Sequence, residues 1–152
     1  MKRVGFLTSG GDCQALNATM RGVAKALYNE YGNDLELIGF EDGYKGLMYA
    51  NYRFLNRSDF SGILTKGGTM LGTSRQPFKL MRVPDENGLD KVGLMKHTYY
   101  KLKLDALVVL GLSLIHIFSG LVSEPMAEER IFNKSSSSPM FFTRFRFVMS
   151  RI

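Results

Sequence analysis

Two short stretches carry the residue types that bind phosphate. Leu7-Thr8-Ser9-Gly10-Gly11-Asp12-Cys13 places two hydroxyls and a glycine pair directly behind the apolar run Val4-Gly5-Phe6-Leu7, and an amphipathic helical pattern begins a few residues later. Paired glycines let a ligand approach the backbone closely, and a helix start offers unpaired N–H groups and the positive end of its dipole to an anion. A tight strand-to-helix turn that binds nothing would use the same residues, and the spacing matches neither Gly-x-Gly-x-x-Gly nor Gly-x-x-x-x-Gly-Lys-Ser/Thr. The second stretch, Lys66-Gly67-Gly68-Thr69-Met70-Leu71-Gly72-Thr73-Ser74-Arg75, gathers three glycines, three hydroxyls and two cations within ten residues. Hydroxyl and backbone donors beside an arginine suit phosphate oxygens. A solvated turn is the plainer alternative, and the presence of two such loops in one chain favours binding.

The elements that must position these loops are legible in the apolar pattern. Residues 3 to 8 run apolar without polar alternation, as a buried strand does. Asp12 can cap the following helix, in which Leu16, Met20, Val23, Ala24 and Leu27 share one face and which Gly32-Asn33-Asp34 ends. Leu35 to Phe40 reads as a second strand, and Glu41-Asp42-Gly43-Tyr44-Lys45-Gly46 as the loop at its carboxyl end. Strand, helix and strand make a right-handed βαβ unit of a parallel sheet, where ligands bind beyond the carboxyl ends of the strands. Phe60 to Leu64 is a short apolar segment. Pro77 and Pro84-Asp85-Glu86-Asn87-Gly88 mark an irregular connection, and Asp90 can cap a helix carrying Val92, Met95, Tyr99 and Leu102 on one face. Ala106-Leu107-Val108-Val109-Leu110, ending at Gly111, reads as a central parallel strand.

Composition narrows the partners. The 152 residues suit one domain with a sizeable core. Lys and Arg number 20 against 14 Asp and Glu, a net charge of +6. The excess is spread along the chain, which suits a phosphorylated small molecule and lacks the dense basic block of a nucleic-acid arm. A single cysteine, Cys13, excludes an internal disulfide and a cysteine-based zinc site, and His97 and His116 are the only imidazoles. His97 is expected on a solvated part of its helix, without a catalytic partner. No apolar stretch approaches the roughly 20 residues of a membrane span, and the apolar run at the amino terminus is too short for a signal peptide. The expectation is a soluble, cytoplasmic protein with no membrane or nucleic-acid partner.

Three motifs in order carry a resemblance. Thr8 to Ala18, Gly39-Phe40-Glu41-Asp42-Gly43-Tyr44-Lys45-Gly46-Leu47 and Gly67 to Arg75 resemble the amino-terminal part of the 6-phosphofructokinase family, over residues 1–111. The resemblance implies a three-layer, Rossmann-like α/β fold with a parallel sheet, here as a fragment of the phosphofructokinase fold. It implies a glycolytic phosphotransferase that moves the γ-phosphoryl of MgATP to the 1-hydroxyl of fructose 6-phosphate, homo-oligomeric when intact. On the matching positions, Gly10 and Gly11 approach the nucleotide phosphates, and Arg75 and Gln76 lie at the nucleotide site. Arg21 and Lys25 match the region where bacterial relatives bind an allosteric nucleotide, although Lys25 replaces the usual arginine. Gln14-Ala15 replaces the commoner Pro-Gly, as in some members. Part of the family uses pyrophosphate, and the residues that sort the two donors follow residue 110.

Beyond Gly111 the resemblance stops. The family's Gly-Gly-Asp-Gly or Gly-Gly-Asn-Gly loop for ATP and magnesium is replaced by Leu112-Ser113-Leu114-Ile115-His116-Ile117-Phe118. The Thr-Ile-Asp-x-Asp segment with the general base and the residues that hold fructose 6-phosphate have no counterpart, so no catalytic residue and no metal ligand is assigned. Residues 112–152, with Ser135-Ser136-Ser137-Ser138 and the Phe-rich basic run Phe141 to Phe147, read as a non-native or disordered tail. Leu112 to Ile117 looks like translated adapter or frame-shifted DNA joined to a gene fragment. The alternative for the tail is an aromatic-basic segment for a membrane surface or nucleic acid. For the whole chain, the alternatives to an inactive kinase fragment are a standalone nucleotide- or phosphate-binding module, and a chain that does not fold stably because its sheet is cut short.

Overall fold

The computed structural model describes all residues except 14, 77, 82, 86, 87, 112–147, 151 and 152. Five strands form one sheet in the order β3-β2-β1-β4-β5, namely Tyr52–Leu55, Leu35–Phe40, Lys2–Ser9, Ala106–Gly111 and Val148–Ser150. The middle three are parallel, with Phe6 opposite Gly39 on one side and Val108 on the other. Both outer strands are antiparallel, β3 against β2 and β5 against β4. The sheet is therefore mixed, with the expected parallel unit at its centre.

Alternation along the central strands divides the core into two layers. Val4, Phe6, Leu37, Val108 and Leu110 face helix α1 (Ala15–Tyr31), which buries Leu16, Met20 and Ala24 against them. Phe60, Ile63 and Leu71 complete this side. Leu7, Ile38, Phe40 and Val109 face the other way, onto α2 (Tyr44–Tyr49) and α4 (Lys91–Lys101), which contribute Tyr44, Leu47, Met48, Met95 and Tyr99. Full burial of one such side chain is worth roughly 1.5–3 kcal/mol, so the two layers outweigh any surface pairing. The arrangement is the expected three layers. A further short helix, α3 (Phe78–Met81), adds Met81 to the second layer.

Asp90 caps α4 as its sequence predicts, its carboxylate accepting the Val92 N–H at 3.0 Å. Several elements differ from the sequence reading. The stretch expected to be loop from Glu41 to Gly46 turns at once into α2, and β3 then returns along β2. The apolar segment Phe60 to Leu64 runs from the end of one 3-10 turn, Arg57–Phe60, into a second, Ile63–Thr65, and these lay Phe60 and Ile63 on α1's side of the core. At the opposite end of the strands from the glycine turn, Arg3 pairs with Glu36 at 2.6 Å and Lys2 with Asp105 at 3.0 Å. Most of the expected tail, with His116 and the serine and Phe-rich runs, lies outside the described residues. Among the described residues no helix is long and apolar enough to cross a membrane.

Candidate functional site

Strand β1 delivers the first glycine turn to the carboxyl end of the sheet, where Thr8 and Ser9 are buried. Gly10 follows at φ 96°, a backbone conformation that side chains disfavour, and open space surrounds the position a Cβ would occupy. The backbone there is bare to an approaching ligand. The second glycine loop lies directly against this turn. Thr73 donates its hydroxyl to the Gly10 carbonyl at 2.9 Å, and Ser9 and Ser74 form a parallel bridge. The Thr8 hydroxyl bonds the Gly72 carbonyl and lies 3.3 Å from that of Thr69.

The loop after β2 locks onto the same junction. Ser74 donates to the Asp42 carbonyl at 2.6 Å, and the Asp42 N–H donates to the Leu71 carbonyl at 2.8 Å. Gly43, at φ 64°, is pressed so closely that a Cβ there would fall 2.3 Å from the Thr8 carbonyl oxygen. Three loops from distant parts of the chain are thus welded into one rim. Arg75 follows Ser74 and is exposed, and Gln76 beside it is half-buried.

The structure brings Gly10 and Gly11 beside the loop that ends at Arg75 and Gln76. Asp12, expected as a helix cap, has its carboxylate against Gly68, where a Cβ would lie 2.5 Å from Oδ2. The residues that join the loops, Thr8, Thr73 and Asn17, carry no signal of that role in the sequence, because their partners lie about fifty or more residues away in the chain. His97 is exposed, and the Cys13 thiol is free and half-buried.

A second feature lies on the far side of α1. Arg21, Lys25 and Arg57, with Tyr28, Asn29, Phe60 and Ser61, line a cavity of about 350 Å³. Arg21 donates to the Phe60 carbonyl at 2.8 Å, and the Arg57 guanidinium sits 4.6 Å over the Tyr28 ring. Burial raises the pKa of the Tyr28 hydroxyl, partly offset by the Arg57 charge. Among the described residues, three cations and no carboxylate line this cavity, which suits an anion. Arg21 and Lys25 were expected from the resemblance, and Arg57 is the lining cation that it did not single out. For a metal the donor set does not fit: among the described residues no three His, Cys, Asp or Glu side chains converge.

A family model described as phosphofructokinase matches residues 3–113. This chain belongs to the phosphofructokinase family. It is 53% identical over 114 residues to the ATP-dependent 6-phosphofructokinase of Spirochaeta thermophila, covering 70% of this chain and 30% of that one. The enzyme of the same name from Propionibacterium freudenreichii is 50% identical over 109 residues, covering 72% and 28%. The chain thus spans about 30% of the length of these curated relatives. Among solved structures, Pichia pastoris phosphofructokinase in the T-state superimposes with a TM-score of 0.57 at 31% identity, over 71% of this chain and 11% of that one. A pyrophosphate-dependent phosphofructokinase from Marinobacter aquaeolei gives a TM-score of 0.58 at 12% identity, covering 73% and 26%, and shares the fold.

Proposed function

We infer that this chain supplies part of the ATP-phosphate site of a 6-phosphofructokinase, the glycolytic enzyme that phosphorylates fructose 6-phosphate to fructose 1,6-bisphosphate. The observation that carries the reading is the junction of the two glycine loops through Thr73 and Gly10. In it, Gly10 and Gly11 present bare backbone to the phosphates. Arg75 offsets the negative charge that builds on the transferring group, and Gln76 borders the nucleotide. The names of the two bacterial relatives above, both ATP-dependent, support ATP as donor. The reading carries a cytoplasmic location and a homo-oligomer for the intact enzyme.

Magnesium assists phosphoryl transfer by neutralising phosphate charge, and no step here runs through it, since no convergent acidic set is present among the described residues. The magnesium loop, the general base and the sugar-phosphate site of the family have no counterpart in the sequence, and the family match stops at residue 113. We therefore take residues 1–111 as enzyme sequence and residues 112–152 as a separate tail, and we expect no turnover by this polypeptide. An assay of the purified chain with fructose 6-phosphate and either ATP or pyrophosphate tests this. Product above background would overturn it.

The cavity on α1 favours a second reading for its own residues. Arg21, Lys25 and Arg57 would hold an anionic effector, as the resemblance to bacterial relatives implies for the Arg21 and Lys25 region.

A further inference from the structure

Asn17 lies in the first turn of α1, 1% exposed, and its carboxamide spans the start of the second glycine loop. Nδ2 donates to the Lys66 carbonyl at 3.2 Å, and Oδ1 accepts the Met70 N–H at 2.8 Å. A carboxamide is the one short side chain with a donor and an acceptor side by side, so it closes a backbone segment that needs both. Between the two clasped residues lie Gly67, Gly68 and Thr69. Gly68 packs on Asp12 of the first turn, and Thr69 lies beside Thr8.

The other links of the second loop are hydroxyl and backbone bonds to the end of β1 and to the loop after β2, and a bond of 3.3 Å from the Arg53 guanidinium on β3 to the Met70 carbonyl. Among the described residues, Asn17 is the side chain of a long helix that hydrogen-bonds the second loop, and that helix is fixed in the core by Leu16 and Met20, where Leu71 also packs. Its position is therefore inherited from the core. A buried amide that lost one partner would leave an unsatisfied polar group, which the fold resists.

We propose that Asn17 is a positioning residue: it holds residues 66–70 in the conformation that sets Thr69 to Arg75 against the Gly10-Gly11 turn, so that the anion site is formed before ligand arrives. The proposal rests on the reading of these two loops as a phosphate site. Preorganisation of this kind raises affinity by removing the ordering cost from the binding step. Asn17 does not touch the ligand. It acts through the loop.

The test compares the full chain with Asn17→Ala and Asn17→Asp, and with Glu30→Ala, an exposed α1 control away from the cavity. Asn17→Asp keeps the acceptor for Met70 and replaces the donor to Lys66, so it retains the packing and breaks one link. Amide hydrogen exchange followed by mass spectrometry should rise about tenfold over residues 66–75 in both Asn17 variants and stay unchanged in β1, β2 and β4. The affinity for ATP should fall by about tenfold in parallel, and Glu30→Ala should alter neither. Exchange in the loop that matches the parent chain would overturn the proposal. So would a rise spread evenly over loop and strands, which marks a general stabiliser. Loosened loop exchange with unchanged ATP affinity would overturn it as well. If the parent chain binds no ATP, the nucleotide reading fails, and the exchange pattern alone still decides whether Asn17 holds the loop.

Discussion

The Thr73 hydroxyl lies 2.9 Å from the Gly10 carbonyl oxygen, so the loop at 67–75 is fastened to the first glycine turn through the residue whose backbone stands open to solvent. The carbonyl is turned toward Thr73, and the bond fixes the peptide plane beyond Gly10. Replacing Thr73 by Val keeps the shape and removes the donor. The expected cost is about 1–2 kcal/mol of stability, read by urea denaturation, together with weaker ATP binding. Unchanged stability and affinity would show that the loops hold together without this bond.

Gly43 and Gly10 both have positive φ, at 64° and 96°, but their surroundings differ. A methyl at Gly43 would meet the Thr8 carbonyl at 2.3 Å, whereas one at Gly10 would meet nothing within 4 Å. Gly10→Ala should therefore cost about 1–2 kcal/mol, the backbone strain alone. Gly43→Ala should cost roughly 2–4 kcal/mol, since backbone must also shift. Chemical denaturation of the two variants gives the order, and a reversed order would contradict the close packing of α2 on β1.

The pKa of Asp105 is lowered chiefly by the backbone N–H of Arg3 and next by the Lys2 ammonium. A carboxylate with a depressed folded pKa adds stability above its ordinary value of about pH 4, and that contribution is lost as pH falls through the folded value. The group is exposed, so its weight is under about 1 kcal/mol. Asp105→Asn should lower stability slightly at neutral pH and leave it unchanged below the folded pKa, as followed by thermal unfolding across pH.

Arg57 should matter to the α1 cavity and not to the glycine loops. Arg57→Ala removes one of three lining cations and the cap over Tyr28. Binding of ADP at that cavity should weaken about tenfold, read by calorimetric titration, with amide exchange of residues 67–75 unaltered.

The parallel centre of the sheet, α1 and α4 were legible because their apolar residues keep one spacing over many positions, as Leu16, Met20 and Ala24 do. Helix α2 was not, since Gly43 and Gly46 flank Tyr44 and Lys45 and six residues are too few for a period to declare itself. Strand β3 was hidden for a related reason: Phe54 points to solvent and Arg53 is half-buried, so polar and apolar residues do not alternate in step with burial. β5 pairs with β4 from within the stretch expected to be tail, a contact that no local pattern announces. At the site, the glycine and hydroxyl content marked both loops. The register that joins them depends on Asn17, Thr8 and Thr73 meeting residues far along the chain, and only the folded sheet supplies it.

The central claim is that the two glycine loops together form a phosphate-binding wall of a nucleotide site. Calorimetric titration of the full chain with ATP, with adenosine as the control and Arg75→Ala as the paired variant, tests it most directly. Saturable ATP binding is expected, with none of comparable strength for adenosine and about a tenfold loss on Arg75→Ala, the ordinary weight of a charge-assisted contact. A flat ATP titration, or equal affinity in the Arg75→Ala chain, would contradict it.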